Sequence, residues 1–389
     1  MKTIDLVYFN AGGGHRAAAL ALQQTIATQR RPWQVRLVDL AEVLDPQRRF
    51  ERVTGIAPEQ LYNKRLQRGW TLGLTQELKL LQGVIRLTHK PMLATLRRHW
   101  ARTEPDLVVS LVPNFNRALC ESVASALPGV PFTTVMTDMA DHPPHFWIEP
   151  GLEQTIVCGT LRALQQAQRA GYRDAQLMLA SGMVLRPAFY APDRGQRIRE
   201  MSALGLDPMR PTGVVMFGGQ GSQQMLHIAR RLPDVQLLLL CGHNQALAQR
   251  LQALRRRAPH AVLGFTEDIC STMRLGDFFI GKPGPGAVSE AVQLGLPVLT
   301  WRNAWTMPQE RYNTEWVREQ GVGIVASSMA ELTSALAQLL ATLPQLRAAT
   351  RRVHNRAVFE VIGLFARQLA QAAQPQGRWA AAWPAISAA

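Results

Sequence analysis

Short, nearly continuous apolar runs recur along the chain, and most are followed by a stretch with apolar residues at helical spacing. In the first half the runs are 4–9, 34–38, 107–111, 133–136, 155–158 and 176–179, with helices between them such as 17–28 and 117–126. After a Pro-, Arg- and Asp-rich segment at 186–211, which reads as a linker, the pattern restarts at 214–217, 236–240, 261–263, 278–280, 298–301 and 323–325. Runs without polar alternation suit strands buried on both faces. Strand–helix alternation means a parallel sheet covered on both sides. The fold class is therefore α/β, with two Rossmann-like domains expected at 1–195 and 196–370. A last long helix, 344–370, is placed to pack back on the first domain, and the Gln-, Pro- and Ala-rich tail 371–389 reads as disordered.

One segment breaks the alternation. Residues 48–102 hold 12 Lys and Arg against 3 Glu, interleaved with apolar residues at roughly helical spacing. Two readings stand side by side. The segment lies on an anionic membrane surface through Lys64, Arg65 and Arg68, with Trp70 and Trp100 at headgroup level. Otherwise its helices pack on the sheet and leave a basic face in solvent.

The whole chain of 389 residues carries 43 Lys and Arg against 28 Asp and Glu, a net charge of +15. That calls for an anionic partner: nucleic acid, anionic lipid or a phosphorylated substrate. No zinc-ligand spacing or RNA-binding aromatic motif accompanies the charge, which disfavours nucleic acid. The four cysteines are far apart and read as buried thiols in a reducing, cytoplasmic setting. The chain opens on a strand, so no signal peptide is expected, and no charge-free apolar run is long enough to span a bilayer.

Two glycine turns carry the candidate chemistry. Asn10-Ala11-Gly12-Gly13-Gly14-His15 follows the first strand, and Gly281-Lys282-Pro283-Gly284-Pro285-Gly286-Ala287 follows the strand at 278–280. A glycine turn between strand and helix lets backbone N–H groups and the helix start meet a phosphate. Two such turns suggest a shared cleft. His15 sits at a helix start, which disfavours imidazolium, so a neutral general base for an acceptor hydroxyl is expected there, or a positioner of the acceptor or phosphate, or else a capping or packing residue. Asp138, at the carboxyl end of a strand, is the rival base.

With these motifs the chain resembles glycosyltransferase family 28, enzymes of the GT-B fold, and within it the monogalactosyldiacylglycerol synthases and diacylglycerol glucosyltransferases. The resemblance is carried by Gly12 to His15, Thr137-Asp138 with His145 and Trp147 after it, Gly218-Gly219, Cys241 to Asn244, and the blocks Gly281 to Glu290 and Gln309 to Asn313. It implies a UDP-sugar in the second domain. Uracil would lie near Phe265, and the diphosphate at Gly284, Pro285, Gly286 and Ala287. Glu290 would take the ribose hydroxyls and Gln309 and Glu310 the sugar, with Asn313 one turn on along the same helical face. Gly13, Gly14, Gly219 and Ser222 would complete the donor site. His145 and Trp147 would border the acceptor mouth.

The resemblance further implies an inverting transfer of galactose or glucose from the UDP-sugar, a substrate and not a cofactor, to diacylglycerol, with no bound metal. The enzyme would be cytoplasmic and peripheral on the inner face of the cell membrane. A peptidoglycan-type N-acetylglucosaminyltransferase with an undecaprenyl-linked acceptor and a UDP-N-acetylglucosamine epimerase share the fold and stand as alternatives. Asn303 to Met307, beside the sugar pocket, departs from the family pattern, and so the identity of the sugar is not fixed by the motifs.

Overall fold

The computed structural model describes residues 1–10, 13–46, 74–193, 195–304 and 306–372. Lys64, Arg65, Arg68, Trp70 and the tail from 373 lie outside them, as do Ala11 and Gly12 of the first glycine turn.

All the strands expected from the apolar runs form, in two six-stranded parallel sheets. The first contains β1 (Lys2–Tyr8), β2 (Trp33–Asp39), β3 (Leu107–Ser110), β4 (Phe132–Val135), β5 (Thr155–Cys158) and β6 (Leu177–Leu179), in the order β2-β1-β3-β4-β5-β6. The second contains β7 (Thr212–Met216), β8 (Gln236–Leu240), β9 (His260–Leu263), β10 (Phe278–Gly281), β11 (Val298–Trp301) and β12 (Gly323–Ala326), in the order β12-β11-β10-β7-β8-β9. Each sheet reverses its winding once, between β1 and β3 and between β7 and β10. Ligands of open α/β sheets bind in the crevice at the carboxyl ends of such strands. Both glycine turns leave strands that border a reversal.

The cores explain the apolar runs. One side of the first sheet packs Val108, Phe132 and Ile156 against Leu96 and Trp100, while the other packs Ile4, Leu6 and Val109 against Val361, Phe365 and Leu369 of the C-terminal helix. Gln368 of that helix accepts from Thr133 at 3.0 Å and donates to Thr155 at 3.1 Å. The chain's end thus covers its first sheet.

Three expectations change. The helix expected over 344–370 is two, Leu343–Arg352 and Ala357–Ala372. Asn355 breaks it: its Nδ2 donates to the Met183 carbonyl at 2.9 Å and its Oδ1 accepts from Ala357 N at 3.0 Å, starting a new helix as the chain crosses to the first sheet. The segment read as a linker carries a 3-10 turn, Pro187–Tyr190, and a helix, Arg197–Ala203, with Phe189, Met201 and Leu206 buried in the second core. Trp100 is not an interfacial anchor. It is fully buried on the His89–Thr103 helix and donates to Ser122 Oγ at 2.8 Å, with Met92 and Leu96 also inside. The preceding helix, Leu74–Leu87, differs: Leu81, Val84 and Leu87 are exposed on one face. Among the described residues no helix is long and apolar enough to cross a membrane.

Candidate functional site

The second half of the site is built on the turn after β10. Gly284 caps the Pro285–Gln293 helix without a side-chain hydrogen bond, and Pro285 has no N–H to offer. Val288 N bonds Gly284 O, and among the described residues the N–H groups of Gly286 and Ala287 are helix-start donors with no partner. One turn in, Glu290 is half-buried, and among the described residues its carboxyl group has no hydrogen-bond partner. Burial pushes its pKa up to about 7, with the charge of Arg186 opposing. Lys282 of the same turn pairs with Glu310 at 2.7 Å.

The loops after β7, β8 and β9 close one side. Gly242 has φ +57°, and a Cβ there would lie 2.1 Å from the Gly219 carbonyl. That carbonyl accepts from His243 N at 2.8 Å, clipping the 218–222 turn to the 241–244 turn. His243 then stacks on Phe265, centroids 4.1 Å apart and planes 16° from parallel, and Phe265 is 58% exposed. The pair forms an aromatic wall open to the cleft. Ser222 is buried, its Oγ accepting from Gln224 N at 3.3 Å.

Gln309 and Glu310 lie in a 3-10 turn, Pro308–Glu310, ahead of the Arg311–Glu319 helix, so the common helical face expected with Asn313 does not exist. Among the described residues Gln309 Oε1 has no partner. Asn313 is fully buried and donates to the Pro283 carbonyl at 2.7 Å. It therefore braces the turn, and among the described residues its Oδ1 has no partner.

The first half rests on the β1 turn and the segment after β4. Gly13, at φ +81°, starts the Gly14–Thr28 helix, again with no side-chain cap. His15 follows Gly14 and is half-buried, its Nδ1 3.0 Å from Thr137 Oγ1. Desolvation in the cleft lowers its pKa to about 4, although a hydrogen bond to the Leu111 carbonyl opposes the shift. Asp138 is buried and accepts from Trp147 Nε1 at 2.8 Å. Burial pushes its pKa up to about 7 despite that bond, and Glu310 and Asp141 add to the rise while Lys282 opposes it.

Trp147 is itself fully buried, its ring 5.9 Å from that of His15. It meets Asp138 and His15 from inside, a correction to its expected place at the acceptor mouth. Asp141 fixes the intervening loop by accepting from Trp147 N at 2.6 Å and His145 N at 3.0 Å. His145 is exposed at the loop tip. Gln82 of the Leu74–Leu87 helix donates to Asn114 Oδ1 at 3.2 Å beside it.

The two halves face each other. Asp138 of the first domain feels Lys282 and Glu310 of the second, His142 feels Arg311, Glu315 and Arg302, and Arg162 lies 5.9 Å over the Tyr312 ring. Sequence reasoning quoted Thr137, His243 and Lys282 within motifs but gave them no role. Their signal was proximity in three dimensions, which spacing does not carry.

No protein-family model matches the chain. In sequence it is 27% identical over 355 residues to chloroplastic monogalactosyldiacylglycerol synthase 1 of Arabidopsis thaliana, covering 86% of this chain and 64% of that protein. It is likewise 27% identical to the spinach enzyme, Spinacia oleracea, covering 87% and 66%. The chain therefore spans just under two thirds of the length of these curated relatives. In structure it matches Acinetobacter baumannii MurG with a TM-score of 0.59 at 13% identity, covering 94% of this chain and 100% of that one. It matches Staphylococcus aureus MnaA in complex with UDP with a TM-score of 0.58 at 14% identity, covering 95% and 97%. The chain has the GT-B fold, two Rossmann-like domains about a cleft, and is related in sequence to the monogalactosyldiacylglycerol synthases.

Proposed function

We propose that this protein transfers a hexose from a UDP-sugar to the free hydroxyl of diacylglycerol. The observation that supports the reading is the Glu290 carboxyl group, unpartnered among the described residues and one turn into an uncapped helix start, with Asp138 of the first domain facing Lys282 and Glu310 across the cleft. Glu290 accepts from the ribose hydroxyls, and the N–H groups of Gly286 and Ala287 take the diphosphate. The stacked Phe265–His243 wall lies against the uracil on one side, and Gln309 with Glu310 meets the sugar. The name of the sequence relatives favours galactose. The UDP-sugar is a substrate, so the reading needs no resident cofactor.

Thr137 holds the His15 ring through Nδ1, and the unprotonated ring nitrogen takes the proton of the acceptor hydroxyl as its oxygen attacks C1. Attack opposite the diphosphate inverts C1. A pKa of about 4 leaves His15 neutral in the empty site. The arriving diphosphate, a nearby anion, raises His15 basicity when it is needed. Ionised Asp138, held by Trp147, stabilises positive charge developing on the sugar. Leu81, Val84 and Leu87, on the helix beside the cleft mouth, bring the site to the cytoplasmic membrane surface where the acceptor lies.

The test is to incubate the protein with radiolabelled UDP-galactose, UDP-glucose and UDP-N-acetylglucosamine and diacylglycerol vesicles, then separate the lipids. Label in a monohexosyl-diacylglycerol is expected, most from UDP-galactose. Label that never enters lipid from any donor would overturn the reading.

A further inference from the structure

We infer that Lys282 is the cation that receives the leaving diphosphate, exchanging Glu310 for it when the donor binds. The inference rests on the donor-site reading above and adds a residue that none of its contacts includes. Lys282 and Glu310 form an ion pair at 2.7 Å, but the two ends are not alike: the lysine side chain is 35% exposed and the carboxylate 6%. The ammonium therefore sits on the wetter side of the pair. It also overhangs the diphosphate turn, since a Cβ on Gly284 would point at it, 3.6 Å from Cε and 4.0 Å from Nζ. That is the turn whose helix presents the Gly286 and Ala287 N–H groups. From there the charge of Lys282 is felt by Asp138 across the cleft, so it lies close to the reacting face of both domains.

The chemistry needs a cation there. As the acceptor oxygen–C1 bond forms, the bond from C1 to the β-phosphate oxygen breaks and its electron pair stays on the diphosphate. The acceptor proton goes to His15, so atoms and charge balance, but the diphosphate has gained negative charge. Backbone dipoles meet part of it. A lysine is a compact charge on a flexible stem, suited to swing from a carboxylate to a phosphate oxygen without leaving its turn. Its departure frees Glu310 to accept from a sugar hydroxyl, so donor binding arms both residues. A purely structural role, neutralising a buried carboxylate, predicts something different: removing Lys282 strands Glu310, and neutralising Glu310 repairs the defect.

The experiment titrates UDP and uridine calorimetrically into the wild type, Lys282→Met and the Lys282→Met/Glu310→Gln double variant, with Glu290→Ala as a control on the ribose. The expected result is UDP affinity lower by about 10- to 100-fold in both Lys282 variants, as for a lost charge-assisted bond, with uridine affinity unchanged. Turnover should fall in both. Unchanged UDP affinity, an equal loss for uridine, or recovery in the double variant would overturn the inference. Failure of the donor-site reading looks different: the wild type would not bind UDP, or Glu290→Ala would bind uridine as the wild type does.

Discussion

The indole N–H of Trp147 donates to Asp138 Oδ2 at 2.8 Å, one buried side chain holding another within the cleft wall. The bond favours the ionised carboxylate, yet burial still raises Asp138 to about 7. Trp147→Phe removes the donor and keeps most of the ring, so Asp138 should rise further. A hydrogen bond to a charged group contributes about 1.5–3 kcal/mol, equivalent to about one pH unit or more. Turnover that rises with pH around 7 in the wild type should instead rise around 8 or above. Glu310 and Asp141 push the same way and Lys282 the other, and all three stay in place. A pH–rate profile with an unmoved midpoint would separate Asp138 from the rate.

His15→Ala should lower turnover by about 100-fold or more, the usual worth of a general base, with UDP affinity little changed. At saturating donor, where the Glu290 dependence of binding drops out, a rise near pH 7 that persists in the residual activity of the variant belongs to Asp138 and not to His15. Asp138→Asn should flatten that rise and cost less at pH 8. If Asp138→Asn has the larger effect and His15→Ala mainly raises the acceptor KM, the two roles are exchanged.

Glu290 makes donor binding pH-dependent. Its pKa is raised to about 7, so the empty folded protein takes up a proton that the unfolded chain releases near 4.5. Stability of the empty protein therefore falls as pH rises from about 4.5 to 7. The ionised carboxylate is the better acceptor for ribose hydroxyls, so UDP affinity should rise from pH 6 to pH 8. Glu290→Gln should bind UDP about 10- to 100-fold more weakly at pH 8 and lose the dependence. Calorimetry at both pH values decides it, and a parallel rise in the variant would place the titration elsewhere.

The sheets were legible because strands buried on both faces, such as Leu107–Ser110 and Phe278–Gly281, leave nearly unbroken apolar runs bounded by proline, aspartate or glycine. The two turns were legible because only glycine-rich sequence lets a helix start approach a phosphate. Asn355 was illegible because a lone asparagine in a helical pattern shows no partner, and its partner, Met183, lies 172 positions away in the chain. Asn313 misled because helical spacing from Glu310 assumed a helix where a 3-10 turn stands. Trp100 misled because a basic amphipathic helix has the same pattern whether its apolar face meets lipid or a sheet.

The C-terminal helix should stabilise the first domain although it follows the second in sequence. Phe365 is fully buried among Ile4, Leu22 and Val361. Phe365→Ala should destabilise that domain by about 3–5 kcal/mol, as large-to-small core changes do. Chemical denaturation followed by the N-terminal domain's tryptophan fluorescence measures it. A loss below about 1 kcal/mol would show that the helix only rests on the sheet.

Membrane attachment should depend on the exposed apolar row more than on the charge around it. Leu81, Val84 and Leu87 are 43%, 47% and 86% exposed on one face of the Leu74–Leu87 helix. Each leucine transferred from water into lipid contributes about 1.5–3 kcal/mol. Exposed Arg86 and Lys90 flank the row, and each cation near an anionic surface adds about 1 kcal/mol within a Debye length of about 8 Å. Anionic vesicles should therefore bind the protein more tightly than neutral ones, and salt should weaken the binding without abolishing it. Leu81→Glu/Leu87→Glu removes the apolar contact and adds repulsion, so co-sedimentation should fall by at least about 100-fold, while UDP affinity, set in the other domain, stays as it was. Turnover on diacylglycerol in vesicles should fall with it, and return toward the wild-type value when a water-soluble acceptor is supplied. A variant that still sediments with anionic vesicles would show that this face is not the one that meets the bilayer.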